Sequence, residues 1–440
     1  METIKVVKFG GSSLADAKQF HKVYDIIKSD DTRRYVVPSA PGKRFKDDTK
    51  VTDLLYKAYS AKTELEFNAT FSEIKARYQE IIDGLNLDVS LEDEFKVIEQ
   101  DFKKGIGEDY AASRGEYLNG ILLANYLGFE FIDAKDVIFI DEYGNYDVEL
   151  TDKALSKALK KTNYAVIPGF YGSLNDKSKQ IKAFSRGGSD VTGAIVSKNA
   201  HASVYENWTD VSGFLIADPR VVKNPAIIET ITYKELRELS YMGASVLHEN
   251  SVFPVRKEGI PINIKNTNHP DDPGTLIVES TCHKPTHVIT GIAGRKGFAT
   301  VMIEKDMMNS EIGFCRKVLQ VFEDEKLSFE HMPSGIDTMT IVISTDDFIE
   351  KEQKIISTLH RAVQPDSIIL ESDLALIAVV GRGMKASRGV AARVFNALAK
   401  KNINIKMIDQ GSSELNIIIG VRNCYFEAAI KAIYNEFIDD

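Results

Sequence analysis

The sequence predicts an α/β protein: a large, mainly parallel sheet covered by helices on both faces, followed by two smaller α+β modules. Three observations predict it. Up to about residue 280 strand-like and helix-like segments alternate, glycine- and hydroxyl-rich turns follow several of the strands, and after His287 one pattern occurs twice. Alternation of this kind builds parallel sheets, because each crossover carries a helix back over one face.

A chain of 440 residues exceeds one ordinary domain, and two or three are expected. With 43% hydrophobic and 27% charged residues it reads as a soluble globular protein with ample core. A net charge of −9 and the lack of a long basic run argue against a nucleic-acid surface. The segment KRFKDDTK mixes both signs and reads as a solvated loop. Cys282, Cys315 and Cys424 lie far apart without CxxC spacing, so neither a disulfide framework nor a zinc site is expected. The start METIKVV has no basic leader with a long apolar run, and no later segment approaches a membrane span. The chain reads as cytoplasmic, with no nucleic-acid or membrane partner.

The first element is a strand carrying Ile4, Val6, Val7 and Phe9, followed by helix-spaced apolar residues over 14–27. Between them stands KFGGSS. Gly10 and Gly11 let a backbone approach something closely, and Ser12 or Ser13 suits a helix N-cap. A strand, a glycine turn and a helix N-terminus together favour an anion, and Lys8 adds a full positive charge. Taken alone, KFGGSS is equally compatible with a tight strand–helix turn beside an exposed lysine. Further strands are read at RYVVPSA, EFIDA, DVIFI, YAVIPGF, ASVYENW and PINIKN. Helices are read over Val51–Tyr59 and over 67–85, 110–127, 153–160 and 190–199. Ligands of such sheets collect at the carboxyl ends of strands, which is where KFGG falls.

Beyond His287 the stretch 313–344 aligns without gaps on 389–420, matching Gly313/Gly389, Val318/Val394, Gly335/Gly411, Ile341/Ile417 and Ile343/Ile419. Each copy reads as helix, turn, strand, glycine turn, strand, and duplication explains an ungapped register better than chance. Within the second copy, Gly381, Gly383 and Ala386 follow a strand and Asp409 ends the next one, imitating a dinucleotide fingerprint. The amphipathic helix there begins near Gly389, too late for a pyrophosphate, and the first copy lacks the glycines. Such a lone match is weak.

No GxxxxGK[ST] and no protein-kinase signature set occurs. Three other stretches share the character of KFGG. In VVPSAPGK, Ser39 and Ala40 follow a strand, and Thr52 opens the next helix. In SRGGSDVTGAI, Gly187 and Gly188 make a turn, Ser189 or Asp190 caps a helix, and Arg186 offers a planar fork suited to a carboxylate. In WTDVSGFLIADPRVV, Thr209 and Asp210 stand just past a strand, with Asp218, Pro219 and Arg220 in a later turn. Each alone reads as a capped turn or loop. Their joint occurrence after successive strands is harder to ascribe to chance.

With KFGGSS, VVPSAPGK, SRGEYLNGILLANYL, GFYGS, FSRGGSD, WTDVSG, ADPRVV, SYMGASVLHENSV, PGTLI, EHMPSGID and MIDQGSSE in this order, the chain resembles the monofunctional aspartokinases over nearly its whole length. The resemblance implies an amino-acid-kinase (carbamate-kinase-like) three-layer domain over 1–284. It implies two α+β ferredoxin-like ACT domains after it, over 285–367 and 368–440. It also implies ATP-dependent phosphorylation of the β-carboxylate of L-aspartate, on the route to lysine, threonine and methionine. An aspartate side chain, with a pKa of about 3.9, is ionised at neutral pH. No general base is therefore required, and catalysis is positioning and charge stabilisation.

By the same resemblance Lys8 bridges the transferred phosphoryl group, Gly10 and Gly11 donate backbone N–H groups, and Asp190 orients Lys8. Arg186 grips the α-carboxylate of aspartate and Glu116 its α-ammonium, assisted by Ser39, Thr52 and Ser189. Without its RGEYLNG context Glu116 would read as a surface helix acid. ATP falls to Lys8, Gly10, Gly11, Ser13, Thr209, Asp210, Leu215, Arg220, Ser245 and Val246, with Mg²⁺ carried mainly by the phosphates. Three residues depart from the usual pattern: Ser212 where an acid is common, Leu215 where a tyrosine is common, and Ser245 where a lysine is common. His248 reads as structural.

The effector of the ACT pair is implied at Met308, Ser310, Glu311 and Phe314 of one helix start and at Phe329 and Glu330 of the following strand end. All of these are also compatible with ordinary turn and cap positions. The acidic pair favours lysine over threonine, because lysine alone brings a side-chain ammonium. A homodimer or homotetramer through the ACT domains is implied. Competing readings are a glutamate, N-acetylglutamate or nucleotide kinase of the same fold, and a silent amino-acid sensor. TDV–G with ADPR argues against the first, and retention of Lys8, Arg186 and Asp190 against the second. An appended dehydrogenase is not expected from this length.

Overall fold

In the computed structural model, residues 3–185, 187–244, 247, 249–281 and 285–438 are described. The chain forms two units that interleave along the sequence. The first comprises Met1–Phe214, Ile227–Tyr233 and Val246–Thr281, and the second comprises Leu215–Ala226, Lys234–Ser245 and Cys282–Asp440.

The first unit holds strands β1 (Lys5–Phe9), β2 (Arg33–Pro38), β3 (Glu130–Phe131), β4 (Phe139–Ile140), β5 (Ala165–Val166), β6 (Tyr171–Leu174), β7 (Ile181–Ala183), β8 (Val204–Thr209), β9 (Thr230–Thr232), β10 (Ile262–Asn266) and β11 (Thr275–Val278). Eight of them form one sheet in the order β3-β5-β2-β1-β8-β10-β11-β9, parallel except between β10 and β11. The other three, β4-β6-β7, form a small separate sheet. Strand alternation sorts the core into two layers. Val7, Phe9 and Val36 pack with helices Ala17–Lys28, Val51–Tyr59, Glu64–Leu85, Glu92–Lys104 and Glu108–Leu127. Val6, Tyr35 and Val37 face the other way, toward helices Val148–Leu159 and Gly188–Asn199. Lys8 shares the Val6 face, and this is what brings it to the helix Gly188–Asn199.

Several expectations need correction. After Phe9 the chain makes a short 3₁₀ turn, Gly11–Leu14, and the α-helix starts at Ala17 with Asp16 as its N-cap, accepting from Gln19 N–H at 2.9 Å. Neither Ser12 nor Ser13 caps it. The helix Gly188–Asn199 is capped by the backbone of Gly187, so Ser189 and Asp190 sit inside its first turn. DVIFI is part helix and part strand, and Glu92–Lys104 is a helix not foreseen.

The second unit contains β12 (Gly291–Glu304), β13 (Thr338–Ser344), β14 (Ser367–Val380), β15 (Met407–Asp409) and β16 (Asn416–Arg422), an antiparallel sheet ordered β13-β12-β14-β16-β15. The two copies of the repeat share its long strands. Residues 300–304 of β12 pair with 367–371 of β14 and with β13, whereas 291–296 pair with 375–380. Gly313 and Gly389 take the same left-handed cap position, φ 82° and 80°, opening helices Phe314–Asp324 and Val390–Ala399. The strand expected before the first glycine turn is only an extended segment, held by Glu330 N–H on Val342 C=O at 2.8 Å.

The dinucleotide-like glycines have a packing role. A Cβ on Gly381 would stand 2.7 Å from Ile289 Cα, and one on Gly383 2.5 Å from Val288 C=O. Between them Arg382 pairs with the fully buried Glu235 at 3.0 Å. Asp409 lies 2.8 Å from His331 Nδ1. Cys315 and Cys424 are free thiols, and Cys282 lies outside the described residues. Among the described residues no helix is long and apolar enough to cross a membrane.

Candidate active site

The carboxyl ends of β1, β2, β8 and β10 lie side by side, and Lys8, Gly11, Ser39 and Thr209 fall at or just past them. Lys8 is only 8% exposed, and its Nζ stands 2.7 Å from Asp190 Oδ1. A third group completes the arrangement. Asn207, opposite Lys8 in β8, accepts from Nζ at 3.3 Å and donates Nδ2 to Asp190 Oδ1 at 2.9 Å. One ammonium is thus held at the end of a central strand by one carboxylate and one amide. Sequence reasoning missed Asn207; its place two residues before Thr209, inside a strand, was the available signal.

The glycine turn differs from expectation in one donor. Gly10 N–H extends the β1–β8 ladder by donating to Trp208 C=O at 2.9 Å, so it is not presented to a ligand. Gly11 N–H has no protein acceptor among the described residues. Gly11 must lack a side chain because a Cβ would sit 2.8 Å from Ala40 C=O and 3.3 Å from the Gly42 backbone. Ser13 Oγ is engaged with Thr267 Oγ1 at 2.8 Å. The loop after Ser39 is clamped from below: buried Arg77 donates to Asp48 at 2.9 Å and to Gly42 C=O at 2.9 Å, while Arg44 also grips Asp48. These two cations hold the Asp48 carboxyl well below the usual range, the Arg44 hydrogen bond first.

Glu116 lies in the helix Glu108–Leu127, 5% exposed, beneath this loop. Its Oε2 is buried with no hydrogen-bond partner among the described residues. Burial pushes its carboxyl up to about 8, opposed by a hydrogen bond from Ala40 N–H and by the Arg114 charge. Isolation of this kind is costly for a carboxylate unless a cation arrives. Ser39 is fixed through its backbone, N–H to Phe9 C=O at 3.0 Å and C=O from Asn119 Nδ2 at 2.7 Å. Thr52 is the second residue of its helix, and Ser189 is buried in the first turn beside Asp190.

Of the residues expected at the nucleotide, Thr209 ends β8 and donates to Asp210 at 3.1 Å. Ser212 has its own structural reason: its hydroxyl lies 2.5 Å from Asp272 Oδ2 and accepts from Asn266, so an acid there would oppose Asp272. In the second unit Leu215 and Arg220 line a depression of about 390 Å³ together with Pro219, Val221 and Lys223. Arg220 is largely exposed and forks onto Asp218 at 2.6 and 3.0 Å. Arg186, Ser245, Val246 and His248 lie outside the described residues.

The effector expectation meets an obstacle in the same unit. Met308 and Phe314 are core residues packed with Val318 and Ile341, which leaves only their backbone for a ligand. Glu311 is already held by Lys305 and by Lys317 at 2.7 Å, and both lower its carboxyl. Ser310 touches Asn309, and Phe329 is partly exposed. Glu330 accepts from Arg295 at 3.2 Å, and the Tyr241 hydroxyl, pushed up to about 12 by burial and by Glu330, faces it.

Residues 3–266 match the amino acid kinase family, and residues 377–437 match an ACT domain. The chain is 39% identical to aspartokinase 3 of Bacillus subtilis, over 99% of this chain and 98% of that one. The chain belongs to the aspartokinase family. It is therefore an enzyme of the amino-acid-kinase fold with an ACT regulatory part. The crystal structure of Clostridium acetobutylicum aspartate kinase, an allosteric enzyme, superposes with a TM-score of 0.88 at 52% identity, covering 99% of this chain and all of that one. Aspartokinase III of E. coli, solved with aspartate and ADP, shares the fold at a TM-score of 0.73 and 24% identity, over 99% of this chain and 100% of that one.

Proposed function

We propose that this aspartokinase-family chain transfers the γ-phosphoryl group of ATP to the β-carboxylate of L-aspartate, giving 4-phospho-L-aspartate and ADP. The observation that carries this reading is the Lys8 ammonium held by Asp190 and Asn207 at the end of β1. A β-carboxylate oxygen forms the new bond to phosphorus while the bond to the β,γ-bridging oxygen breaks, and ADP carries away the electron pair. Lys8 neutralises charge on the group in transit, and Gly11 N–H supplies a second donor. Glu116 takes the α-ammonium, a donor for the buried Oε2 that has no hydrogen-bond partner among the described residues. Ser39, Thr52, Ser189 and Arg186 are assigned to the rest of the substrate. For the nucleotide, support is strongest at Leu215 and Arg220, on the rim of the depression in the second unit. Mg²⁺ is assigned to the phosphates; among the described residues no group of three or more His, Cys, Asp or Glu is arranged to hold a metal.

The remaining parts of the reading concern regulation and setting. The chain divides into a catalytic part over 1–284, of which 215–226 and 234–245 fold with the second unit, and ACT modules over 285–367 and 368–440, with the strand 291–296 paired to the second module. An end-product amino acid, lysine before threonine, binds the regulatory part near Glu330, and the chain works in the cytoplasm as a homodimer or homotetramer. A coupled ADP-release assay with aspartate, glutamate and N-acetylglutamate, repeated with lysine and threonine, tests the whole. Turnover with aspartate alone, reduced by lysine, is the expected result. Preference for either glutamate substrate would overturn the reading.

A further inference from the structure

Loop 215–226 is part of the second unit, the one built on the regulatory sheet. Its two ends meet where Ile216 N–H donates to Ala226 C=O at 2.9 Å. From that base two bonds run outward. Ile216 C=O accepts from Ile292 N–H of β12 at 2.7 Å, and Ala226 N–H donates to the Tyr434 hydroxyl at 2.9 Å. Tyr434 is 5% exposed, on the helix Phe426–Ile438, whose Ile430, Ile433 and Phe437 are also buried. A hydroxyl so enclosed needs a partner, and a backbone N–H at a loop end needs an acceptor; each satisfies the other. Inside the loop Asp218 sets the turn, its C=O accepting from Val221 and Val222 N–H at 2.9 Å and its carboxylate holding Arg220.

We propose that Tyr434 is a positioning residue for the nucleotide: by fixing the Ala226 end of loop 215–226 to the helix Phe426–Ile438, it holds the loop in the shape that meets ATP. This rests on the reading that Leu215 and Arg220 meet the nucleotide. The bond is well suited to the task, since it joins a loop backbone to a helix whose other large side chains are fixed by packing. That one hydrogen bond ties the loop to the helix, while the adjoining Ile216–Ile292 bond ties it to β12.

The test uses two variants of the full chain. Tyr434→Phe keeps the ring and deletes the acceptor. The expected result is a KM for ATP raised roughly three- to tenfold, the worth of one such bond. The kcat at saturating ATP and the KM for aspartate should stay within about twofold of the parent. A loss of kcat with both KM values moved and a lowered Tm would mean a purely structural tyrosine and would overturn the proposal. Arg220→Ala separates the two readings. If it raises the KM for ATP while Tyr434→Phe leaves it alone, the loop meets the nucleotide and the proposal about Tyr434 is wrong. If neither variant changes it, the nucleotide assignment of the loop falls, and the proposal with it.

Discussion

Lys8 Nζ and Asp190 Oδ1 stand 2.7 Å apart, joining the central strand β1 to the first turn of the helix Gly188–Asn199. The pair is mostly enclosed, so its attraction is less screened than on a surface. It also leaves the ammonium aimed past the strand end. Lys8→Ala is expected to lower kcat on the order of 100-fold or more while circular dichroism stays unchanged. Near-normal turnover would remove Lys8 from catalysis.

Asn207 is the residue that sets the angle of this pair. Asn207→Leu keeps similar bulk but removes both the acceptor for Lys8 and the donor to Asp190. A fall in kcat of about tenfold is expected, the worth of one charge-assisted hydrogen bond. The KM for aspartate should change little. Substrate-saturation kinetics check this, and an unchanged kcat would reduce Asn207 to a strand-packing role.

Glu116 predicts a pH dependence. Its carboxyl is pushed up to about 8 by burial, with Ala40 N–H and Arg114 opposing and with Tyr56 and Tyr78 near enough to feel its charge. If Glu116 receives the α-ammonium of aspartate, the free enzyme below that value holds a proton that the ammonium must displace. The KM for aspartate should therefore fall as pH rises from 6 to 8, by up to about tenfold per unit, and level off above. Glu116→Gln should raise the KM and flatten its pH profile. The stability sign is opposite: this folded pKa exceeds the unfolded one, so ionising Glu116 costs stability as pH climbs from the ordinary carboxylate range to about 8.

Arg77 predicts a stability effect. It is buried against Asp48 and the carbonyls of Gly42 and Thr49, and Arg77→Met would leave Asp48 to Arg44 alone. Breaking a buried pair from one side costs about 3–5 kcal/mol. Urea denaturation should show a lowered midpoint, and a change under about 1 kcal/mol would mean that Arg44 suffices.

Glu330 decides the effector question. Glu330→Gln keeps the volume beside Arg295 and Tyr241 but removes the charge. If Glu330 receives the ammonium of lysine, inhibition by lysine should weaken more than tenfold, about 1.4 kcal/mol, at unchanged basal turnover. Inhibition curves for lysine and threonine on parent and variant are the measurement. An unaltered lysine curve excludes Glu330, and a shift confined to threonine names threonine.

Much of this protein was legible before any coordinates because the signals are local. Alternating apolar residues marked β1 and β2, turn residues marked KFGG and RGGSD, and an ungapped repeat placed Gly313 and Gly389 at matching helix starts. Family motifs picked out Glu116 and Asp190. What tertiary structure decided depends on register and packing between distant segments. Asn207 reaches Lys8 from 199 residues away because β8 lies beside β1 with those two positions opposite. Gly10 loses its N–H to Trp208 for the same reason, and Glu116 is a buried carboxylate with Ala40 N–H of the neighbouring loop beside it. The sequence also read 215–226 and 234–245 as part of the catalytic stretch. They belong instead to the unit of the regulatory sheet, since their hydrogen bonds run to Ile292, Tyr434, Thr290 and Asn416. No local pattern records such partners, because a backbone N–H or a carboxylate carries no mark of the distant group that will satisfy it.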